Sequence, residues 1–256
     1  MCRLAAWIGE PAPIEQVVIA PAHSLLTQSQ DATEAKLAVN GDGFGLAWYQ
    51  DEDPRPGQYR DVQPAWSDGN LPNLCRMIRS HVFLAHVRAS TGTETSRLNC
   101  HPFTYGRWSF MHNGQIGGYA RLRRRFEAGL PDALYELRRG STDSELLFLM
   151  MLDAGLETDP EGAVARVAAR IRAARVPQDK PDRITCVMSD GANIYALRLA
   201  SDQLAPTLYH RTDAQGTLVA SEPLEAGQAG WQAFKRDGLA IVSAKGVQYQ
   251  DLHACA

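Results

Sequence analysis

The sequence predicts an α+β fold in which β-sheets pack against each other and helices lie outside them. Strand patterns dominate residues 2–115, helical patterns follow within 118–175, and strand patterns return from residue 183 onward. Because sheets and helices must each bury an apolar face against another element, this order favours layered sheets covered by helices. A chain of 256 residues can form one sizeable core, and we expect a single domain over residues 1–256.

The N-terminal strands are predicted from alternation and from glycine turns. Residues 2–9 carry apolar side chains on both alternating faces, as in a strand that is covered on both sides. Three more strands are predicted in GDGFGLAWYQ (41–50), HVFLAHVRAS (81–90) and RWSFMHNGQ (107–115). Residues 51–73 are rich in Pro, Gly and Asp, and we expect a surface loop there.

Three helices are predicted in the middle of the chain. YARLRRRFEAG (119–129) is typical of a short arginine-rich helix. Thr142 and Glu145 form a capping-box pattern before the apolar run LLFLMML and predict a helix over 141–156. Apolar residues at helical spacing predict another helix over 161–175.

The C-terminal part is predicted to return to β-structure. RITCVMSDGANIYALRL (183–199) predicts a hairpin about Asp190-Gly191, because Asp-Gly favours tight turns. Later strands are predicted in TLYHR, GTLVASEPL, LAIVSA and VQYQDL.

The overall composition indicates a small-molecule or protein partner. Hydrophobic residues at 45%, charged residues at 21% and a net charge of −3 provide no global attraction to nucleic acid or to a membrane. There is neither a signal-peptide pattern nor an apolar run approaching ~20 residues, so we expect a cytoplasmic protein. Five cysteines without a CxxC pair favour reduced thiols over a disulfide framework or a structural zinc site.

Cys2 is the first candidate for chemistry. Cells normally trim an initiator methionine that precedes a small side chain, so the mature chain is expected to begin at Cys2. A thiol and an α-amine, with ordinary pKa values of about 8.5 and about 7.7 to 8.0, would then share one residue as nucleophile and base. From position alone, Cys2 could also be a small core residue without a role.

His112-Asn113-Gly114 offers the donors that an acyl-transfer nucleophile requires. The Asn113 amide and the Gly114 N–H could stabilise a tetrahedral oxyanion. An Asn-Gly pair is also typical of a turn, and the motif alone leaves both interpretations open.

Arg88, Thr91 and Asp143 could bind an α-amino-acid head group. The Arg88 fork suits a carboxylate, and the Thr91 hydroxyl could add a donor. Asp143, in the first turn of a predicted helix, could hold a substrate ammonium group. Alternatively, Arg88 is an edge or surface residue and Asp143 only complements the helix dipole.

Simpler interpretations are favoured for the remaining histidines and arginines. We expect no metal site, because no standard zinc spacing is present among His81, His86, His101, His112 and Cys100. A solvated or partner-facing surface is the expected place for Arg121, Arg123, Arg124 and Arg125.

Five motifs occur in a fixed order: an N-terminal Cys after Met, then HVRASTG, NCHPF, HNG and STDSE. In this order and at these intervals they resemble the class II glutamine amidotransferase domains of the N-terminal nucleophile hydrolases. MCRLAAWIGEP, GDGFGLAWY and ASEPL (220–224) extend the resemblance over the whole chain, to a stand-alone branch that includes the ergothioneine-pathway γ-glutamyl hydrolases. HVRASTG departs from the HTRWATHG pattern of the larger synthases, because Ala89 replaces a tryptophan that belongs to gating in the fused enzymes.

The resemblance implies one class II domain, folded as a four-layer αββα sandwich with two mainly antiparallel sheets. It implies that Cys2 is the nucleophile, that its own amine is the base, and that Asn113 and Gly114 form the oxyanion hole. For the α-carboxylate of the glutamyl substrate, it implies a site formed by Arg88, Thr91 and His101. For the α-ammonium group, it implies Asp143. The resemblance implies no metal or organic cofactor.

The leaving group stays open at this point. One hypothesis is a glutaminase or amidotransferase that hands ammonia to a separate synthase subunit. Another is a dedicated hydrolase of a γ-glutamyl peptide or a γ-glutamylcysteine-derived thiol compound, and a third is a non-catalytic binding or regulatory subunit. Self-association into a homo-oligomer through the arginine-rich helix faces is a further hypothesis.

Overall fold

Two antiparallel β-sheets form the centre of the protein. The computed structural model describes residues 2–35, 37–90, 92–225 and 230–250. The first sheet contains, in spatial order, β11 (Gln232–Ala233), β9 (Tyr209–Thr212), β10 (Gly216–Ala220), β1 (Arg3–Pro13), β4 (Arg79–Val87), β2 (Phe44–Gln50) and β3 (Asp53–Asp61). The second contains β13 (Gly246–Gln250), β12 (Gly238–Ser243), β8 (Ile194–Ala200), β7 (Arg183–Ser189), β6 (Trp108–Gln115) and β5 (Phe103–Tyr105).

Helices cover the outer face of each sheet. Apolar side chains of the first sheet pack with α1 (Glu15–Val18), α2 (Leu25–Gln30) and α3 (Leu71–Met77). The second sheet packs with α4 (Tyr119–Glu127), α6 (Asp143–Asp153) and α7 (Pro160–Ala174), and α5 (Asp132–Tyr135) lies against α6. A third core fills the space between the sheets. These layers confirm the predicted αββα sandwich.

The alternation in β1 explains its central place. Leu4, Ala6 and Ile8 belong to the core between the sheets, whereas Ala5 and Trp7 belong to the core under the helices. A strand with both faces covered is therefore apolar on both, as the sequence predicted.

The side chains of helix α6 are buried from Ser144 to Leu152, so this stretch has no exposed face and the run after Glu145 is apolar throughout. The Thr142 hydroxyl caps the helix by accepting a hydrogen bond from the Glu145 N–H at 3.2 Å. Glu145 differs from the predicted capping box: its carboxylate accepts the N–H groups of Arg139 and Gly140. It thereby fixes the turn that leads into the helix.

The prediction of a surface loop over 51–73 was wrong. Strand β3 and the start of α3 lie there, joined by a 3-10 turn at Ala65–Ser67. As a sheet edge, β3 tolerates prolines that a central strand would not. Tyr59 anchors it, since the Tyr59 ring packs 5.8 Å from that of Phe44 and its hydroxyl donates to Asp68 at 2.6 Å.

Within the described ranges, none of the helices combines the length and the apolarity that crossing a bilayer requires.

Candidate active site

Cys2 lies at one end of the first sheet. It directly precedes β1, and its neighbour Arg3 pairs in register with Val87, the last residue of β4. The Cys2 thiol faces the chain just beyond β4 and donates to the Ala89 carbonyl oxygen at 3.7 Å. The strand pairing therefore brings Cys2 beside the segment that begins with Arg88.

The surroundings of Cys2 act on its thiol in opposite directions. Burial raises the pKa of the Cys2 thiol above its ordinary value. The cations of Arg88 and Arg3 act in the lowering direction without outweighing burial. A thiol of this kind requires a nearby base to become a thiolate at neutral pH.

Asn113 and Gly114 lie within β6, opposite Thr185 and Ile184 of β7, so the turn interpretation does not hold. The Asn113 side chain is fully buried, and neither its amide nitrogen nor its amide oxygen has a hydrogen-bond partner among the described residues. Gly114 has a φ of +146°, and an added Cβ would overlap the Arg183 carbonyl oxygen. This position therefore requires glycine.

The end of β6 lies close to the Cys2 end of the first sheet. His86 pairs in register with Leu4, and its pKa is lowered to about 3 by burial, with further effects from Arg88 and His112. His112 immediately precedes Asn113 on the facing sheet. The two sheets thus bring the oxyanion candidates toward the candidate nucleophile.

Arg88 is buried rather than at an edge or on the surface. Its Nη1 donates to the Asp42 carbonyl at 3.1 Å, and its Nη2 donates to the Thr93 hydroxyl at 2.7 Å. Further Nη2 contacts reach the Ser90 hydroxyl at 3.3 Å and the Glu94 carbonyl at 3.2 Å. A carboxylate that bound Nη2 would have to replace some of these neutral acceptors. Thr91 lies outside the described residues.

Asp143 begins α6, and its Oδ2 accepts the Ile116 N–H at 2.8 Å. A second link joins the same elements, since His112 Nδ1 lies 2.9 Å from the Ser144 hydroxyl. Asp143 and Gly114 both line a cleft of about 470 Å³, which also contains Thr93, Tyr119 and Lys180 along its walls. The cleft is large enough for a small molecule.

His101 is buried away from this cleft. Its ring lies 4.2 Å from that of His86 and 4.7 Å from that of Phe103, and neither ring nitrogen has a partner within the described chain. Burial lowers the pKa of His101 well below its ordinary value, so the ring is neutral. The structure therefore brings Gly114 and Asp143 together in the cleft lining, whereas Cys2 and Arg88 lie together at the end of the first sheet and do not belong to that lining.

Sequence reasoning missed several residues of this region. Asp42 Oδ2 accepts the Ser90 N–H at 2.7 Å and so orders the chain after Arg88. Arg3 and Glu222 form a buried ion pair next to Cys2. Glu222 lies in the ASEPL motif, whose pattern indicates no role for it. In the part of the chain that is described, no three potential ligands among His, Cys, Asp and Glu converge as they would around a metal ion.

Comparisons with known proteins identify the family of the chain. A family model described as class-II glutamine amidotransferases matches residues 16–211. The probable glutamine amidotransferase DUG3 of Saccharomyces cerevisiae is 29% identical over 94% of this chain and 82% of its own length. The γ-glutamyl-hercynylcysteine sulfoxide hydrolase of Mycobacterium tuberculosis is 28% identical over 96% of this chain and 95% of its own.

Solved structures share the fold. A glutamine aminotransferase class-II domain protein from Silicibacter pomeroyi superposes with a TM-score of 0.75 at 37% identity, over 98% of this chain and 99% of that one. The glutamine phosphoribosylpyrophosphate amidotransferase of B. subtilis, at 14% identity, shares the fold with a TM-score of 0.68 over 98% of this chain and 49% of its own. With the family match extending over most of the sequence and the same sandwich in both structures, this chain belongs to the class-II glutamine amidotransferases.

Proposed function

We propose that the chain hydrolyses the side-chain amide of glutamine or of a related γ-glutamyl compound, with Cys2 as the N-terminal nucleophile. The α-amine of Cys2, exposed by removal of Met1, is the base. Asn113 and Gly114 stabilise the oxyanion, Arg88 binds the substrate α-carboxylate and Asp143 binds the α-ammonium group. Thr91 is proposed to assist Arg88.

The observation that carries the proposal is the unpartnered amide of Asn113. A buried amide without a partner is rare in a folded protein, because it loses its hydrogen bonds to water without replacement. An oxyanion that forms only during the reaction would be such a partner. The adjacent Gly114, at a position where no side chain fits, is proposed to donate its own N–H to the same oxygen.

The reaction divides into acylation and hydrolysis. The amine takes the thiol proton, and the Cys2 sulfur attacks the δ-carbonyl carbon to form a tetrahedral oxyanion. Collapse of this intermediate breaks the C–N bond, and the proton held by the amine passes to the departing nitrogen. Water activated by the same amine then attacks the γ-glutamyl thioester, which releases glutamate and restores the thiol.

His101 had been implied as a further carboxylate ligand, but its position supports a different proposal. Its ring is buried against that of His86, and burial lowers its pKa well below the ordinary value, so it carries no charge to pair with a carboxylate. We propose that it supports the end of β4 instead of contacting substrate.

Intact-mass spectrometry with the glutamine analogue 6-diazo-5-oxo-norleucine tests the proposal. The purified chain is expected to begin at Cys2 and to gain one adduct, and a Cys2→Ala variant is expected to gain none. A chain that begins at Cys2 and yet is not labelled would contradict it, and would favour a non-catalytic subunit.

Two leaving groups remain in competition. Ammonia, passed to a separate synthase subunit, would fit a glutamine amidotransferase, as DUG3 is named. An amine from a larger γ-glutamyl compound would fit a dedicated hydrolase, and the mycobacterial relative named for that activity matches almost end to end. Measuring ammonia from glutamine against amine release from γ-glutamyl dipeptides separates the two: a hydrolase turns over the dipeptides and leaves glutamine almost untouched.

A further inference from the structure

Arg3 is a fully buried arginine whose guanidinium folds back onto the preceding residue. Its Nε donates to the Cys2 carbonyl oxygen at 2.7 Å, and its Nη1 donates to Glu222 Oε1 at 3.0 Å. Because the guanidinium is planar, these two bonds fix the orientation of the Cys2 carbonyl relative to Glu222. Arg3 thereby ties the backbone of the candidate nucleophile to Glu222, which is 219 positions from Arg3.

Glu222 is itself held from several directions. Besides Arg3, its carboxylate contacts His23 Nε2 at 2.9 Å, the Thr33 hydroxyl at 2.6 Å and the Thr33 and Glu34 N–H groups at 3.0 and 2.9 Å. The residue before it, Ser221, exchanges hydrogen bonds with Leu4 of β1. Glu222 is therefore a fixed point in the frame around Cys2, not a mobile counter-ion.

We propose that Arg3 is a positioning residue for the Cys2 nucleophile and that Glu222 holds Arg3 in the orientation this requires. The inference rests on the proposed function, in which Cys2 attacks the substrate. Once Met1 is removed, Cys2 is a chain terminus with no preceding peptide bond, and terminal residues are poorly ordered unless they are tied down. The Arg3 bond to the Cys2 carbonyl supplies such a tie.

A purely structural role explains the pair less well. Burying two charges is costly, and apolar residues of similar volume often replace a buried ion pair at no loss of stability. A hydrogen bond from Arg3 to the carbonyl of Cys2 itself, next to the reacting atoms, is what a positioning role requires. The cation also lies close enough to the thiol to act in favour of the thiolate.

Inactivation kinetics with 6-diazo-5-oxo-norleucine test the inference, because they separate the binding of the analogue (KI) from attack by Cys2 (kinact). Arg3→Lys keeps the charge but loses the planar fork, and Glu222→Gln keeps the volume but removes the negative charge that holds Arg3. We expect kinact to fall about 10- to 100-fold in both, since small displacements of a reacting group have effects of this size, with KI unchanged. Tyr49→Phe is the matched control. It removes a buried hydrogen-bond network at the end of β2 that lies away from Cys2.

The double variant Arg3→Met/Glu222→Met distinguishes positioning from stability, because it leaves no buried charge unpaired. It also removes the acceptor of the Thr33 and Glu34 N–H groups, so its melting temperature is expected to fall, and labelling is measured well below that temperature. A positioning role predicts that the folded double variant is still labelled slowly. Wild-type kinact in the double variant, or a rise in KI alone, would overturn the inference. If the wild-type chain beginning at Cys2 is not labelled, the proposed function fails instead.

Discussion

The Asn113 amide is buried without a partner among the described residues. The equally buried Asn99 amide donates to the Glu94 carbonyl and the Ser141 hydroxyl, and it accepts the Ser141 N–H. An unpaired buried amide destabilises a fold by about 1–3 kcal/mol. We therefore expect that Asn113→Ala does not lower the free energy of unfolding, as measured by urea denaturation. The same change is expected to lower kcat about 100-fold, the usual effect of removing one oxyanion donor.

Asn99→Ala is the control for Asn113, because it removes an amide that is hydrogen-bonded. It should lower the free energy of unfolding. Equal destabilisation by the two substitutions, with kcat intact in Asn113→Ala, would show that the Asn113 amide is an ordinary structural group.

Glu222 makes the stability of the protein sensitive to acid. Burial raises the pKa of its carboxyl, but the hydrogen bonds from Thr33, His23 and Glu34 outweigh burial and lower the pKa to about 2. A carboxyl whose pKa is lowered on folding stabilises the fold above its unfolded pKa, about 4.3, and loses that contribution as the pH falls through about 2.

The free energy of unfolding should therefore be higher for the wild-type chain than for the Glu222→Gln variant, by an amount that is constant near pH 7. The difference should shrink between about pH 5 and pH 2. Urea unfolding at several pH values measures it. A difference that does not vary with pH would mean that the substitution acts through packing and not through the charge.

At the scale of the element, α6 connects helix stability to substrate binding. Thr142 caps the helix that Asp143 begins, and Asp143 is bonded to the Ile116 N–H beside Gly114. Thr142→Ala should lower the free energy of unfolding by about 1 kcal/mol. Because fraying of the first turn displaces Asp143, KM should also rise in steady-state assays.

Helix α7 provides the comparison, since Asp159 caps it by accepting the Gly162 N–H at 3.0 Å, remote from the cleft. Asp159→Ala should destabilise the fold by a similar amount with KM unchanged. A rise in KM in both variants would attribute the effect to global stability.

Elements with a strong local pattern were predictable from the sequence, and edge elements were not. Strand β1 alternates on both faces, and α6 combines a cap with an apolar run, so both were predicted, α6 within three residues of its observed bounds and β1 four residues short of its end. Strand β3 contains two prolines and two aspartates, a composition that also suits a loop. It becomes a strand because β2 offers a partner edge, which no local pattern reveals. The short helices α1 and α2 were missed because four to six residues carry too little periodicity.

At the scale of the whole molecule, the candidate site depends on pairing between distant segments. The motifs around Cys2, Arg88, Asn113 and Asp143 were recognisable in the sequence, but their convergence requires both sheets to pack with these ends together. The Arg3–Glu222 pair was not predictable, because it depends on β10 lying beside β1. Likewise, only the contact of the His101 ring with that of His86 shows that His101 is buried against β4.

The state of the chain terminus should control the activity of the whole molecule. While any residue precedes Cys2, its nitrogen is an amide that cannot accept a proton, and burial keeps the thiol pKa raised. A chain with an N-terminal fusion, cut by a protease that leaves Cys2 first, is expected to gain one 6-diazo-5-oxo-norleucine adduct only after cutting. Cys2→Ala cut in the same way controls for other thiols, of which Cys75 and Cys186 are buried with raised pKa values. An adduct on Cys2 of the uncut chain would mean that another group supplies the base.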